Sequence, residues 1–377
     1  MNTIAENASG LIFAGADIGF GHVKVDADMP EGNQKFTLQS TVATGRDRSF
    51  KKWQEKGKLD IKKSELKNQL RVMDVEIYSQ RDESTRHYFL GPLAVLEGSD
   101  SRLCWDDDKS SDEDSIALLV ASLAAAQTER MHGVDSRVSI YVGTGLPLDK
   151  FFTHKDSYER NIKGMYTVTF RSGPWENTKC ALNIIKCRVF PQAWGIFMDM
   201  TQDQDGQPIN TYLTEGNVLL VDPGFRTTDY ALFKDGEFVD AYAGTLEFGV
   251  AWAYGHICNK LAEKGISIDE KVFDTYLQYK DGLYGISGGK AIDLKPLGES
   301  AFALLGKKLS EELKLRLKDE WKAIHRSLVG GGGGAGAFEY LKIDNKELAK
   351  NPQFGNASGF KKASESSVKR AVNNPRL

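Results

Sequence analysis

The feature of this chain that most restricts its fold is one short design that occurs twice, far apart in the sequence. Residues 13–24 and residues 218–230 each run from an apolar strand into Asp-x-Gly, a tight turn and a second strand. Glycine permits positive φ in such a turn and leaves backbone N–H groups uncovered, so they can point at anionic oxygens. The aspartates, Asp17 and Asp222, suit a hydrated Mg²⁺ better than a bare phosphate. Two such hairpins facing each other would hold a nucleoside triphosphate between two halves of a protein.

A run of glycines supplies a third element for the nucleotide site that the two hairpins would form. Residues 328–336 end one apolar segment and open another. Without side chains, glycines let a flat base or a ribose lie against the backbone, ahead of a helix N-terminus. A single Asp-x-Gly is most often an ordinary hairpin turn, and a glycine run is often a flexible linker. Linkers tend to be rich in serine as well, so the three glycine turns together favour a nucleotide site.

These segments resemble the ATPase superfamily of actin, Hsp70 and the sugar kinases. Within it, the chain is most similar to the ParM/StbA group of plasmid-segregation actins and their archaeal relatives. Asp-Ile-Gly-Phe-Gly-His-Val-Lys at residues 17–24 resembles the first phosphate loop of the family. Asp-Pro-Gly-Phe-Arg-Thr-Thr-Asp at residues 222–229 resembles the second, and Val-Gly-Gly-Gly at residues 329–332 resembles the adenosine motif.

Two further segments extend the resemblance over nearly the whole chain. Gly-Leu-Pro-Leu at residues 145–148 is similar to the Leu-Pro-Leu that follows a strand in ParM proteins. Residues 353–360 are similar to the closing segment of those proteins. The likeness therefore runs from near residue 11 to near residue 361.

The resemblance implies a set of site residues and cofactors. It assigns Asp17 and Asp222 to catalysis and, through water, to Mg²⁺. The residues that it assigns to the nucleotide are Gly19, Phe20, Gly21, His22, Lys24, Gly224, Phe225, Arg226, Thr227, Thr228, Gly330, Gly331, Gly332 and Gly333. The implied cofactors are ATP or ADP with Mg²⁺, and use of GTP stays open. For the ribose and purine, the candidates are Lys260 and Glu263 on a predicted helix.

The second phosphate loop differs from the family pattern at two residues. Pro223 replaces the usual aliphatic residue after the aspartate, which stiffens the loop and removes one N–H donor. Arg226 has no counterpart in eukaryotic actin, and its partner is either a phosphate or Asp229. The glycine run is also longer than usual, so the sequence leaves open which of its glycines meet the nucleotide.

A glutamine between the two phosphate loops is the candidate for orienting the attacking water. Gln192 follows a strand predicted at residues 181–189 and precedes an apolar helix predicted at residues 193–200. In actin-like proteins a Gln or Glu at this first connection between the halves orients the water, and the resemblance assigns that role to Gln192. An amide can position water, whereas a carboxylate can also take its proton. The alternative is a polar residue that satisfies free N–H groups at a helix N-terminus.

Composition narrows the class of protein. A chain of 377 residues can bury two cores, and a net charge of −3 argues against a general nucleic-acid binder. The four cysteines have no Cys-x-x-Cys spacing, which predicts reduced core residues in a cytoplasm. The six histidines show no paired spacing that would indicate a metal site. We expect neither a signal peptide nor a membrane span, because no basic-apolar leader or apolar segment of sufficient length is present.

The order of predicted elements indicates an α/β protein with the actin-like two-domain fold. Each half is expected to hold a mixed sheet flanked by helices, with the nucleotide cleft between the halves. Residues 1–191 are predicted as domain I, with a small outer subdomain near residues 35–95, and residues 192–377 as domain II. A helix near residues 356–371 is expected to pack back on domain I. A leucine stripe predicts one long helix over residues 301–328.

Charged segments outside the loops offer an assembly hypothesis. Residues 46–67 are strongly basic and lie where actin-like proteins carry a loop that contacts the next subunit. The acids of a neighbouring subunit, Asp106, Asp107 and Asp108, are candidate partners. Two solvated loops are an equally good interpretation, since charge runs usually face water. The nearby acids at residues 112–114 are expected to cap the following helix.

The leading functional hypothesis is a filament-forming actin-like ATPase that segregates plasmid DNA or positions other cargo in the cytoplasm. ATP would favour assembly and hydrolysis would weaken the polymer. The expected partners are further copies of the chain and a DNA-binding adaptor protein, with no direct nucleic-acid or membrane binding. One alternative is a small-molecule kinase of the same superfold, with Asp229 as its base. Another is an Hsp70-like ATPase module, disfavoured because no substrate-binding domain follows residue 377.

Overall fold

The fold consists of two β-sheets, each covered by helices, and a short two-stranded ribbon. The structure is a computed structural model that describes residues 11–28, 34–48, 73–104, 112–268, 283–285 and 291–373. Most of the basic segment, from residue 49 onward, lies outside these ranges, and so do Asp106, Asp107 and Asp108. The proposed contact between those charges is therefore outside the described residues.

The first half of the chain forms a ten-stranded sheet with the order β3-β2-β1-β8-β10-β9-β5-β6-β4-β7. Its strands are β1 (Leu11–Ile18), β2 (His22–Ala27), β3 (Gln34–Gln39), β4 (Thr41–Thr44), β5 (Asp74–Ser79), β6 (Ser84–Leu90), β7 (Arg102–Leu103), β8 (Ser136–Leu146), β9 (Gly164–Phe170) and β10 (Lys179–Pro191). Its helices are α1 (Pro92–Glu97), α2 (Glu113–Arg130) and α3 (Leu148–Ile162). Asp112 caps α2 by accepting hydrogen bonds from the backbone N–H groups of Asp114 and Ser115, as expected for an acid before a helix.

The second half forms a five-stranded sheet with the order β13-β12-β11-β16-β17. Its strands are β11 (Asn217–Pro223), β12 (Thr228–Lys234), β13 (Glu237–Leu246), β16 (Arg326–Val329) and β17 (Lys346–Leu348), and the ribbon pairs β14 (Leu283–Gly285) with β15 (Ala291–Asp293). Its helices are α4 (Trp194–Thr201), α5 (Val250–Ala262), α6 (Lys295–Leu317), α7 (Gly334–Phe338) and α8 (Gly355–Asn373). Within the described residues, no helix is long and apolar enough to cross a bilayer.

The two sheets repeat one arrangement of strands. In the first, β1 pairs antiparallel with β2 and parallel with β8; in the second, β11 pairs antiparallel with β12 and parallel with β16. All of β2 and nearly all of β11 and β12 are buried. Strand β11 therefore reads as an apolar run. In β2, by contrast, Val23, Val25 and Ala27 alternate with the buried polar residues His22, Lys24 and Asp26. The prediction of an α/β fold with a mixed sheet in each half is confirmed.

The long helix predicted over residues 301–328 is wrong at its C-terminal end. Helix α6 ends at Leu317, and Lys318 takes a positive φ of 51° before a 3₁₀ segment, Lys318–Ala323. Leu328 belongs to β16, which pairs in parallel with β11. The leucine spacing continues by coincidence through this break, because Leu328 is buried as part of a sheet and not on a helix face.

Helix α8 contacts both halves at glycine residues, which allow the backbones to approach closely. A Cβ on Gly15 in β1 would lie 1.7 Å from the carbonyl oxygen of Ala357, and one on Gly359 would lie 1.8 Å from that of Gly195 in α4. These approaches are possible only for glycine. The helix therefore contacts both β1 of the first sheet and α4, which follows that sheet's last strand.

We predict that Gly359→Ala lowers the free energy of unfolding by about 1–3 kcal/mol, because the added methyl group forces two packed backbones apart. The matched control is Gly298→Ala in α6, where a Cβ would meet no atom within 4 Å. That change should raise stability by about 0.5–1 kcal/mol, as is usual when alanine replaces glycine in a helix. Urea unfolding measures both variants, and a stable Gly359→Ala protein would contradict the close helix crossing.

Candidate functional site

Two β-hairpins of matching geometry carry the aspartates of the repeated sequence design. In the first hairpin (β1–β2), Asp17 lies opposite Lys24, and in the second hairpin (β11–β12), Asp222 lies opposite Asp229. Each turn is closed by a glycine N–H: Gly19 donates to the carbonyl of His22 at 3.1 Å, and Gly224 donates to that of Thr227 at 2.8 Å. The two sequence copies thus form two equivalent turns.

The two turns contact each other directly. A Cβ on Gly21 would lie 2.7 Å from the Cβ of Phe225, so the tip of the first turn packs against the second. The guanidinium of Arg226 lies 5.3 Å from the centre of the Phe20 ring, a cation–π contact that joins the same two tips. The two partners considered for Arg226, a phosphate and Asp229, stay predictions beside this observed contact with Phe20.

The hairpins and the glycine run enclose a cleft with about 780 Å³ of empty space, including its open mouth. Most of the nucleotide, metal and catalytic residues proposed from the sequence line it. They are Asp17, Gly19, Phe20, Gly21, His22, Lys24, Gln192, Asp222, Gly224, Phe225, Thr227, Gly332 and Gly333.

Five residues that sequence reasoning missed also line the cleft. They are Val250, Tyr254, Phe302, Gly336 and Gln353. The first three form an apolar wall from helices α5 and α6, and their sequence signal is that of ordinary core positions. Gln353 lies in the segment similar to the closing segment of ParM proteins, so that likeness pointed to it without giving a role.

Four of the proposed nucleotide residues are not among those that line the cleft. Arg226 stacks on Phe20, as described above, and Thr228 is buried and donates its hydroxyl hydrogen to the carbonyl of Phe248 at 2.9 Å. Gly330 packs on Ile196, and Gly331 has a φ of 77° and packs on Asp222. A Cβ on Gly331 would lie 1.8 Å from Oδ1 of Asp222. The glycine run therefore contacts the second hairpin at the carboxylate of Asp222.

The candidates for the ribose and purine lie apart from the cleft lining. Lys260 and Glu263, at the end of α5, form an exposed ion pair with Nζ and Oε2 3.3 Å apart. Their partnership explains their spacing without a ligand.

The carboxylates in the cleft are buried beside a single lysine. Lys24 Nζ lies 3.0 Å from Oδ2 of Asp17, and both side chains are nearly buried. Burial, together with the charge of Asp17, raises the pKa of Asp222 to about 6, although a hydrogen bond from Asn356 and the charge of Lys24 act in the opposite direction. A buried carboxylate with incomplete compensation favours a cation beside it.

This donor set fits Mg²⁺ bound to phosphates better than a metal held by protein alone. Within the described ranges, no group of three or more His, Cys, Asp or Glu side chains could hold a metal ion. Mg²⁺ typically keeps several waters and takes one or two carboxylates together with substrate phosphates. Asp17 and Asp222 supply that number of carboxylates, and the glycine turns supply an uncrowded backbone for the phosphates.

The turn that carries Gln192 is fixed by backbone contacts. The Gln192 N–H donates to the carbonyl of Leu146 at 2.7 Å, and Ala193 has a positive φ of 65°. The side-chain acceptor at the first turn of α4 is Asn356, whose Oδ1 receives the Ile196 N–H at 3.2 Å. Asn356 therefore caps α4, whereas the Gln192 side chain lines the cleft.

The side chain of Asp229 is hydrogen-bonded to the neighbouring strand β13. Its side chain is 5% exposed and accepts a hydrogen bond of 2.6 Å from the Thr245 hydroxyl. It does not contribute to the cleft lining, which weakens its candidacy as the base of a kinase.

Comparison with protein families identifies both halves of the chain. Residues 15–195 match the N-terminal domain of actin-like proteins. Residues 220–342 match the C-terminal domain of an archaeal actin homologue described as MreB-like. No curated protein sequence matches the chain significantly.

Solved structures share the fold at low sequence identity. A 15-stranded ParM filament from Clostridium botulinum has a TM-score of 0.71 and 21% identity, over 94% of this chain and 99% of that one. An archaeal actin homologue in complex with ADP has a TM-score of 0.67 and 20% identity, over 94% and 99%. ParM from Bacillus thuringiensis with ADP has a TM-score of 0.66 and 16% identity, over 94% and 98%. The actin-like two-domain architecture of the chain is thereby confirmed.

The raised pKa of Asp222 gives a testable effect on stability. Its folded value of about 6 lies above the ordinary 3.8, so the folded protein gains a proton, and stability, as pH falls through 6. At pH 7.5 the carboxylate is ionised and its burial destabilises the fold. Without nucleotide or metal, Asp222→Asn should therefore be more stable than the wild type at pH 7.5, on the order of 2 kcal/mol. This advantage should shrink toward pH 5.

Urea unfolding of both proteins at several pH values measures the difference. Asp222→Asn preserves the side-chain shape and an acceptor for Asn356, so packing changes little. A variant that is less stable than the wild type at pH 7.5, or a difference that does not change with pH, would contradict the buried, under-compensated carboxylate.

Proposed function

This chain is an actin-like protein, and on that premise we propose that it is an ATPase that assembles into filaments in response to bound nucleotide. The observation that carries the proposal is the pair of facing hairpins. Asp17 and Lys24 lie on one, Asp222 lies on the other, and all three line a single cleft. A site divided between two halves of a protein links occupancy of the site to the arrangement of the halves.

The residues of the cleft have separate tasks in holding MgATP. The small turns at Gly19 and Gly224 allow phosphate oxygens to approach backbone N–H groups. Lys24 supplies a positive charge for the phosphates. Its ammonium group can turn toward them once a cation is also bound beside its partner, Asp17. Asp17 and Asp222 would hold Mg²⁺ through water molecules of its shell. When bound, Mg²⁺ would neutralise charge on the phosphates.

Gln192 is the residue proposed to orient the attacking water. Its side chain lines the cleft, and its backbone is fixed by the hydrogen bond to Leu146 and by the positive φ of the following Ala193. An amide can donate one hydrogen bond and accept another, which sets the orientation of a water molecule. Holding the water in line with the phosphorus lowers the activation barrier for hydrolysis. Positioning of this kind is important because the protein has little covalent chemistry to perform in phosphoryl transfer.

The apolar wall of the cleft is the proposed site of the base. Val250 and Tyr254 from α5 and Phe302 from α6 line it, together with Gly336. A flat purine can pack on such a surface without a clash at the glycine. We propose ATP as the nucleotide, supported by the ADP in the complexes of the archaeal homologue and of the Bacillus thuringiensis ParM. A side-by-side measurement of ATP and GTP affinity tests this preference.

Self-assembly is supported by the similarity to the ParM filament of Clostridium botulinum. We propose a cytoplasmic polymer that moves or positions plasmid DNA or another cargo through an adaptor protein. A kinase is the weaker alternative, because Asp229 bonds to Thr245 and lies outside the cleft lining.

We predict that adding MgATP to the purified protein increases light scattering above a critical concentration, with filaments visible by electron microscopy. ATP with excess EDTA should give no increase, because the carboxylates of the cleft then repel the phosphates. MgATP hydrolysis without any increase in scattering, over a wide range of protein and salt concentrations, would contradict a polymer and would favour the kinase alternative.

We predict that Gln192→Ala lowers turnover about 10²-fold or more while changing ATP affinity little, since orienting water matters in the transition state and not in the bound ground state. Filaments should then persist longer after a pulse of ATP. Phosphate release and equilibrium binding measure the two quantities separately. Weak binding with normal turnover of bound ATP would contradict the assignment and would give Gln192 a structural role.

A further inference from the structure

One buried amide contacts both the metal-side carboxylate and the turn of the proposed catalytic glutamine. Asn356 is the second residue of α8 and is 2% exposed. Its Nδ2 donates to Oδ2 of Asp222 at 2.7 Å, and its Oδ1 accepts the Ile196 N–H at 3.2 Å. Ile196 lies in the first turn of α4, and this helix begins directly after Gln192 and Ala193. The same N–H also lies 3.1 Å from the Ala193 carbonyl, so Asn356 is a second acceptor there.

The partners of Asn356 fix the direction of its amide. A backbone N–H can only donate, so Oδ1 has to face Ile196. An ionised carboxylate can only accept, so Nδ2 has to face Asp222. The two bonds therefore require an amide, and neither a carboxylate nor a hydrocarbon of the same size could make both.

The backbone around Asn356 leaves it little freedom to move. A Cβ on Gly195 would lie 2.7 Å from the Asn356 carbonyl oxygen, so α4 and α8 touch at this residue. Farther along α8, Ser358 donates to Oδ2 of Asp26 at 2.6 Å, and Lys361 Nζ lies 2.8 Å from Oδ1 of the same aspartate. Asp26 is on β2 of the first hairpin. Helix α8 is thus bonded to both hairpins and to the turn between them.

We infer that Asn356 is a positioning residue for the hydrolysis proposed above. It holds the Asp222 carboxylate and the Gln192 turn in one fixed relation, so the metal waters and the attacking water are placed together. The inference rests on the proposed function. The proposed role differs from a purely structural one, because loss of the Asn356 amide should weaken Mg²⁺ binding and misplace the attacking water, and not only lower the stability of the fold.

Asn356→Ala and Ser358→Ala form a matched pair for testing it. Both residues are buried on α8, and each donates one hydrogen bond to a buried aspartate, Asp222 for one and Asp26 for the other. The readout is ATP affinity in Mg²⁺ divided by ATP affinity in EDTA, measured by calorimetry on the full chain. Asn356→Ala should reduce this ratio about 10–100-fold, as is usual when a residue that orients a metal ligand is removed. Affinity in EDTA and the ratio for Ser358→Ala should stay within about twofold of wild type.

Turnover provides a second readout. Asn356→Ala should lower kcat more than it raises KM, and its effect on kcat should be much smaller in a Gln192→Ala background, because part of it acts through Gln192. Effects of the two changes that multiply fully would overturn the link between Asn356 and Gln192. Equal losses for Asn356→Ala and Ser358→Ala in the Mg²⁺ ratio would overturn the positioning role.

Two outcomes are kept distinct by the design. If the wild type binds MgATP but does not hydrolyse it, the proposed function fails, and the Mg²⁺ ratio still decides whether Asn356 orients the carboxylate. If Asn356→Ala does not fold, Asn356→Leu replaces it, since this change keeps a similar volume, adds no charge and removes the donor to Asp222 together with the acceptor for Ile196. A normal or increased Mg²⁺ ratio in that variant would overturn the inference.

Discussion

The carboxylate of Asp222 is buried without full compensation, and the rest of the site is arranged around that constraint. Asn356 bonds to one of its oxygens at 2.7 Å, and Gly331 leaves room for the other by having no side chain. Burial and the nearby Asp17 still raise its pKa to about 6. An empty cleft of this kind is destabilising at neutral pH, and a bound cation relieves the cost. Stability and ligand binding are therefore linked through one side chain.

The backbone that surrounds this carboxylate has to be rigid, because a small displacement would expose it to water or leave it without a donor. Glycines provide that rigidity by allowing close packing. The backbones of Gly359 and Gly195 touch where the helices cross, and Gly21 packs against the side chain of Phe225 where the turns meet. The buried pair of Lys361 and Asp26 fastens α8 to the first hairpin. Helix α8 therefore links the two hairpins directly, as the proposed filament switched by nucleotide would require.

The sequence predicted those parts of the molecule whose signals are local. The Asp-x-Gly turns and the turn at Gln192 depend on a few adjacent residues and lie where expected. The role of Asn356 depends on contacts with residues more than a hundred positions away, and the apolar wall is indistinguishable from core in a single sequence. The helix prediction over residues 301–328 failed because a leucine stripe does not reveal where a sheet takes over from a helix face. The contact of Arg226 with Phe20 was likewise not predicted, because Phe20 belongs to the other hairpin.

The central claim is that both hairpins hold one and the same metal–nucleotide complex. Calorimetric titration of ATP with and without Mg²⁺, on the wild type, Asp17→Asn, Asp222→Asn and the double variant, tests it most directly. The account predicts that Mg²⁺ tightens ATP binding to the wild type, that either single change removes most of this gain, and that the double variant loses little more. Independent, additive losses from the two changes, or an Mg²⁺ gain that survives in one of them, would place the aspartates in separate sites and contradict the account.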